Sequence, residues 1–155
     1  MLAAALALQL TTVLVFTTTD CPISNRYAPE IQRLAKQFEG RVAFKLVYPV
    51  PADTEAMIRE HVSKFGYTLA WQRDDKQSLV KQTGVTVTPE VAIIDSSGRQ
   101  LYRGRIDDRY VAFGKDRPKP TVRDLERSLD AIIAGKPVPV AHTQAIGCFI
   151  SDLVK

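Results

Sequence analysis

The most reactive groups this chain offers are two thiols, Cys21 and Cys148, in 155 residues. Two cysteines are too few for a disulfide-stapled scaffold. So low a count, with one cysteine where a helix begins, fits redox chemistry better. Cys21 lies in Thr17-Thr18-Thr19-Asp20-Cys21-Pro22-Ile23-Ser24, with the hydroxyls of Thr18 and Ser24 on either side of it. Cys148 follows Gly147 near the C-terminal end, and glycine there permits a turn or a close backbone approach. The imidazoles of His61 and His142 and the cluster Asp107-Asp108-Arg109 are the other groups able to move a proton or hold a metal.

The elements that must position Cys21 are legible around it. Val13, Leu14, Val15 and Phe16 form a short apolar run of β-branched and aromatic residues, a buried-strand signal. Beyond the turn, Ile31, Leu34, Ala35 and Phe38 recur with helical spacing. Cys21 thus falls between a strand and the first turn of a helix, where unpaired N–H groups and the helix dipole favour thiolate over thiol. Pro22 suits the first helical position, which has no donor to lose. The plainer reading of Cys21 is a small buried hydrophobe, and of Ser24 a helix-start residue satisfying a backbone N–H. The reactive reading expects an acidic sulfur open to solvent.

The segment Thr19-Asp20-Cys21-Pro22-Ile23-Ser24-Asn25-Arg26-Tyr27-Ala28-Pro29-Glu30, with Val87-Thr88-Pro89-Glu90 later, resembles the thioredoxin superfamily, in its redoxin branch of TlpA-like and peroxiredoxin-like proteins. The resemblance runs from about residue 11 to about residue 135. It implies an α/β thioredoxin-like fold: a mixed central sheet flanked by helices, with an insertion between the second and third main strands. It implies a site built from Cys21, Pro22, Ser24, Thr18, Thr88 and Pro89, with Pro89 cis, and a bacterial, extracytoplasmic protein. The thioredoxin pair Cys-x-x-Cys is absent, since Ser24 occupies the second place. Cys148 then becomes the candidate for resolving a mixed disulfide or sulfenic acid; a static bridge and an unpaired thiol remain as alternatives.

The peroxiredoxin pattern Pro-x-x-x-Thr-x-x-Cys is met at Thr18 but not at Leu14, and Thr88-Pro89 stands where that family has an arginine. Arg26, Arg103 and Arg105 are possible substitutes. Three functions follow, in order: a thiol-disulfide oxidoreductase with a disulfide substrate and an external thiol reductant; a peroxide-reducing variant; and a non-catalytic module binding a partner or copper. The copper reading, by likeness to Sco-type chaperones, would use Cys21 with His61 or His142, but Asn25 replaces that family's second cysteine. No cofactor is implied.

The remaining chain reads as one domain, residues 1–155, with a core over 11–135 and a tail over 136–155. Hydrophobic residues at 45% and charged residues at 25% are ordinary for a globular chain. A net charge of +4 with no run of like charge gives no nucleic-acid surface. Residues 1–8 are apolar but too short to span a bilayer; they read as a locally packed segment or as a truncated N-terminus. Pro29 is expected to kink the first helix. Val42–Tyr48 reads as the second strand, 54–65 as a helix capped by Asp53 or Thr54, 67–71 as a short extended piece and 76–82 as a short helix. Residues 85–95 read as the third main strand, 99–106 as its hairpin partner and 107–120 as an irregular loop. A last helix capped by Thr121 would bury Leu125, Leu129, Ile132 and Ile133. His61 is expected on a solvated helix face.

Overall fold

The chain is built around β1 (Thr11–Phe16), flanked by β2 (Val42–Tyr48) in parallel and β5 (Glu90–Ile94) antiparallel. The computed structural model describes residues 10–150; the apolar run at 1–8 lies outside them. The five-stranded mixed sheet is completed by β3 (Ala70–Arg73) beside β2 and β6 (Gln100–Gly104) beside β5. Successive side chains on a strand point to opposite faces. Val13 and Val15 accordingly enter one apolar cluster, with Ile31, Leu34, Phe38, Leu125 and Leu129, whereas Leu14 and Phe16 enter a second with Val47, Val80, Val85 and Ile150. The mixed sheet with helices on its faces is the expected α/β architecture.

The first helical stretch is two helices, not one kinked helix. α1 (Pro22–Arg26) ends at Tyr27, and α2 (Ala28–Gln37) restarts with Pro29 in its first turn. An interior proline costs roughly 3 kcal/mol, but one in the first turn removes no bond that would have formed. The segment joining β2 to the sheet's second half contains α3 (Glu55–Lys64), β3 and α4 (Ser78–Thr83). Thr54, not Asp53, caps α3, accepting from Met57 N at 3.2 Å.

Pro89 divides the third main strand. Before it, β4 (Val87–Thr88) leaves the main sheet and pairs instead with β9 (Cys148–Phe149) from the tail. The loop 107–120 carries a small hairpin, β7 (Tyr110–Ala112) and β8 (Lys115–Asp116). The last helix, α5 (Asp124–Ile133), has no side-chain cap: the Thr121 hydroxyl donates to the Asp108 carboxylate instead. Leu125 and Leu129 are buried and Ile132 packs on the core, but Ile133 faces outward, being 40% exposed.

The tail does not trail away. Ala141 O accepts from Arg103 N at 3.0 Å and Thr143 N donates to Arg103 O at 3.1 Å, so the chain runs along the free edge of β6. Gly104 makes this approach possible, because a Cβ at its φ of +152° would overlap Thr143. From there the tail returns to β4.

Candidate redox site

Cys21 is the N-cap of α1, with extended backbone (φ −81°, ψ 111°), and its sulfur accepts from Ser24 N at 3.5 Å. Pro22 follows as the first helical residue. The register of the sheet sets what lies opposite. Phe16, at the end of β1, pairs with Glu90 on β5, which brings the loop leading to Cys21 against Thr88-Pro89. That peptide bond is cis, and the Cys21 thiol donates to the Thr88 carbonyl at 3.3 Å. Thr88 in turn pairs antiparallel with Cys148. Three segments far apart in sequence thus meet at one sulfur.

Cys21 is only 1% exposed, so the expectation of an open sulfur is not met. Burial by itself pushes its pKa up. Donation from Cys148, from the Ser24 hydroxyl and N–H and from Thr88 outweighs burial, and the thiol ends below its ordinary value. The hydroxyls of Ser24 and Thr88 are buried without a hydrogen-bond partner, so both are free to turn toward the sulfur. Cys148 moves the opposite way. Burial, donation to Cys21 and the charge on Cys21 push it up to about 12. Of the two thiols, Cys21 is therefore the one that ionises first, with Cys148 as its proton-bearing neighbour. Both are free thiols.

The loop before Cys21 is pinned from the side. Asp53, buried, accepts from Thr18 Oγ1 at 2.7 Å, Thr19 N at 3.2 Å and Thr19 Oγ1 at 2.6 Å. Thr18 thus spends its hydroxyl on a carboxylate. His61 is buried too, against the expectation of a solvated face. Its Nε2 donates to Asn25 Oδ1 at 2.7 Å, leaving Nδ1 to accept from Tyr48 Oη at 2.9 Å. Asn25 Nδ2 donates to Thr19 O at 3.4 Å, closing a chain from β2 through α3 to the Cys21 loop. The sequence offers Asp53 only as a helix cap, Asn25 only as the replacement for a second cysteine, and His61 only as a solvated residue or copper ligand; their bracing of the Cys21 loop is not read from it. A signal existed for His61: Ile58, His61, Val62 and Phe65 share a helical face, and imidazole is tolerated in a core when both nitrogens are paired.

Asp107 and Asp108 serve elsewhere. Asp107 accepts from Tyr27 Oη at 2.5 Å and Arg109 N at 2.9 Å beneath α2. Asp108 accepts from the Thr121 hydroxyl, Val122 N and Thr121 N at the approach to α5; despite burial, those donors hold its carboxyl at about 2. The arginines are committed as well: Arg26 to Asp116 at 2.9 Å, Arg105 to Asp124 at 2.7 Å, and Arg103 to Gly84 O, with His142 at 2.9 Å. His142 is therefore beside Arg103 and His61 beside Asn25. Among the described residues, no group of three or more His, Cys, Asp or Glu side chains is placed to hold a metal, and no helix is long and apolar enough to cross a membrane.

Residues 10–100 match the family described as thioredoxin-like. The chain belongs to that family. A structure of an uncharacterized conserved protein from Geobacillus kaustophilus superposes with a TM-score of 0.77 at 26% identity, covering 92% of this chain and 77% of that one. A hypothetical protein from Sinorhizobium meliloti does so with a TM-score of 0.78, also at 26% identity, covering 92% and 80%. A secreted Mycobacterium tuberculosis disulfide oxidoreductase homologous to E. coli DsbE matches in fold, with a TM-score of 0.54 at 19% identity, covering 83% and 84%. No curated protein matches. Family and neighbours together show the thioredoxin-like fold.

Proposed function

We propose that the protein is a thiol-disulfide oxidoreductase in which Cys21 is the nucleophile and Cys148 the resolving thiol. The observation that carries the reading is the meeting of a helix-start cysteine with a second cysteine across Thr88. The Cys21 thiolate attacks one sulfur of a substrate disulfide, forming a mixed disulfide and releasing the other sulfur as thiolate. Cys148 then gives up its proton and attacks Cys21 Sγ. The Cys21–Cys148 disulfide forms, the second substrate thiolate leaves, and two electrons have passed to the substrate. An external dithiol restores the reduced pair. Once Cys21 is in the mixed disulfide its charge is gone, which removes one of the causes that hold Cys148 protonated. Resolution thus becomes easier only after attack. Disulfide exchange is favoured over peroxide reduction because the Thr18 hydroxyl is bound to Asp53 and, among the described residues, the bonds at the sulfur go to Ser24 and Thr88 rather than to an arginine.

The experiment is a trapping series with oxidised glutathione, read by mass spectrometry. The native chain is expected to accumulate a Cys21–Cys148 bond with no adduct. Cys148→Ser is expected to stall as a glutathione adduct on Cys21, and Cys21→Ser to give no adduct at either position. A native chain that forms no internal bond, or a Cys148→Ser chain that forms no adduct, overturns the proposal.

A further inference from the structure

Cys21 is buried where the short strand from the tail meets Thr88. Gly147 and Cys148 lie against Thr88, the residue whose carbonyl binds the Cys21 thiol. A Cβ added at 147 would overlap the Thr88 carbonyl oxygen and stand 2.7 Å from its carbon. The φ of Gly147 is not in the left-handed region, so the requirement there is for space alone. Beyond the cysteine, Ile150 N donates to Thr86 O at 3.0 Å and its side chain is buried with Val80 and Val85. Between these anchors and the strip on β6, the tail arches over a cleft of about 320 Å³ floored by Thr86, Val87, Glu90 and Arg103. Phe149 points outward, 85% exposed. The strand is therefore held by two paired residues and one apolar anchor, over a gap it does not fill.

We infer that residues 147–149 are a displaceable strap, docked on the β4 edge that an incoming polypeptide strand would use to reach Cys21, and that this edge accepts only a strand with no side chain before its cysteine. The inference rests on Cys21 being the nucleophile proposed above. An extended partner gains main-chain bonds to Val87 and Thr88 only where the strap now makes them. In this register its residue opposite the Thr88 carbonyl meets the space that admits Gly147 and nothing larger. The strap and a partner strand of the type Gly-Cys thus compete for one edge. Chains with a bulkier residue at that position are turned away.

The test uses full-length protein in a Cys148→Ser background, so that Cys21 is the single thiol and the disulfide chemistry plays no part. The rate of Cys21 alkylation by iodoacetamide is followed to its high-pH plateau, which reports access rather than acidity. Adding Gly147→Ala is expected to raise the plateau rate by about tenfold or more, with unchanged circular dichroism. Ile150→Ser, which loosens the strap at its other anchor, is expected to move it in the same direction. The peptide acetyl-AIGSF-amide is then expected to slow labelling of the Gly147→Ala chain, and acetyl-AIASF-amide to leave it unchanged. Equal plateau rates in the parent and both variants would overturn the strap, and equal protection by the two peptides would overturn the glycine requirement. Failure of the glutathione series with a positive result here would overturn the chemistry alone.

Discussion

At the scale of single residues, the site works by opposing burial with donors. A thiol 1% exposed should hold its proton, yet Cys21 lies below its ordinary range because several donors converge on one sulfur. Ser24 is the simplest of these to remove. Its hydroxyl is buried without a hydrogen-bond partner, so Ser24→Ala takes away a donor free to turn toward the sulfur and leaves nothing unsatisfied. The Cys21 pKa is expected to rise, read from the pH profile of iodoacetamide labelling. Stability in urea is expected to change by less than about 0.5 kcal/mol. Removing Asp53 differs in kind. Asp53→Ala strands the Thr18 and Thr19 hydroxyls and one N–H, and is expected to cost about 2–4 kcal/mol in urea denaturation.

At the scale of elements, α3 is the brace of the Cys21 loop. His61 joins it to Tyr48 on β2 and Asn25 on α1. Burial lowers the His61 pKa below 6.5, so the unfolded chain binds the proton more readily than the folded one. The stabilisation from this group is complete above pH 6.5 and is lost as the pH falls below it. His61→Gln keeps part of the hydrogen bonding but cannot titrate. The stability advantage of the native chain over His61→Gln, measured by urea denaturation from pH 8 to pH 5, is expected to shrink on acidification. A constant difference would mean that His61 does not titrate differently in the two states.

At the scale of the whole molecule, the tail joins the ends of the chain to the middle. A Cys21–Cys148 bond would close a loop spanning most of the sequence, and chain entropy assigns such a loop about 4–5 kcal/mol. Guanidinium unfolding with and without dithiothreitol is expected to show the oxidised native chain more stable by about 2–5 kcal/mol, and Cys148→Ser indifferent to reductant. Gly104 gives a second handle. Gly104→Ala is expected to push Thr143 off β6 and to speed amide exchange at Arg103 and Thr143, while the amides of β1 and β2 keep their protection.

What the sequence determined by itself was what neighbours in the chain decide. The apolar run of Val13 to Phe16, the turn at Cys21-Pro22 and the Thr88-Pro89 pair before a second apolar run are local patterns, and they sufficed for the α/β fold and for a cysteine at a helix start. Even locally, Pro29 was open to misreading, since a helix can restart at a proline as well as bend there. What only the tertiary structure decided was which groups face the sulfur. Cys148 reaches Thr88, His61 is buried between Tyr48 and Asn25, and Asp53 clamps the loop, because sheet register and chain return bring distant residues together. No period in the sequence encodes those meetings. The surroundings of Cys21 are of this kind: a strand from far along the chain lies beside it, close to Thr88 in the space that one glycine leaves.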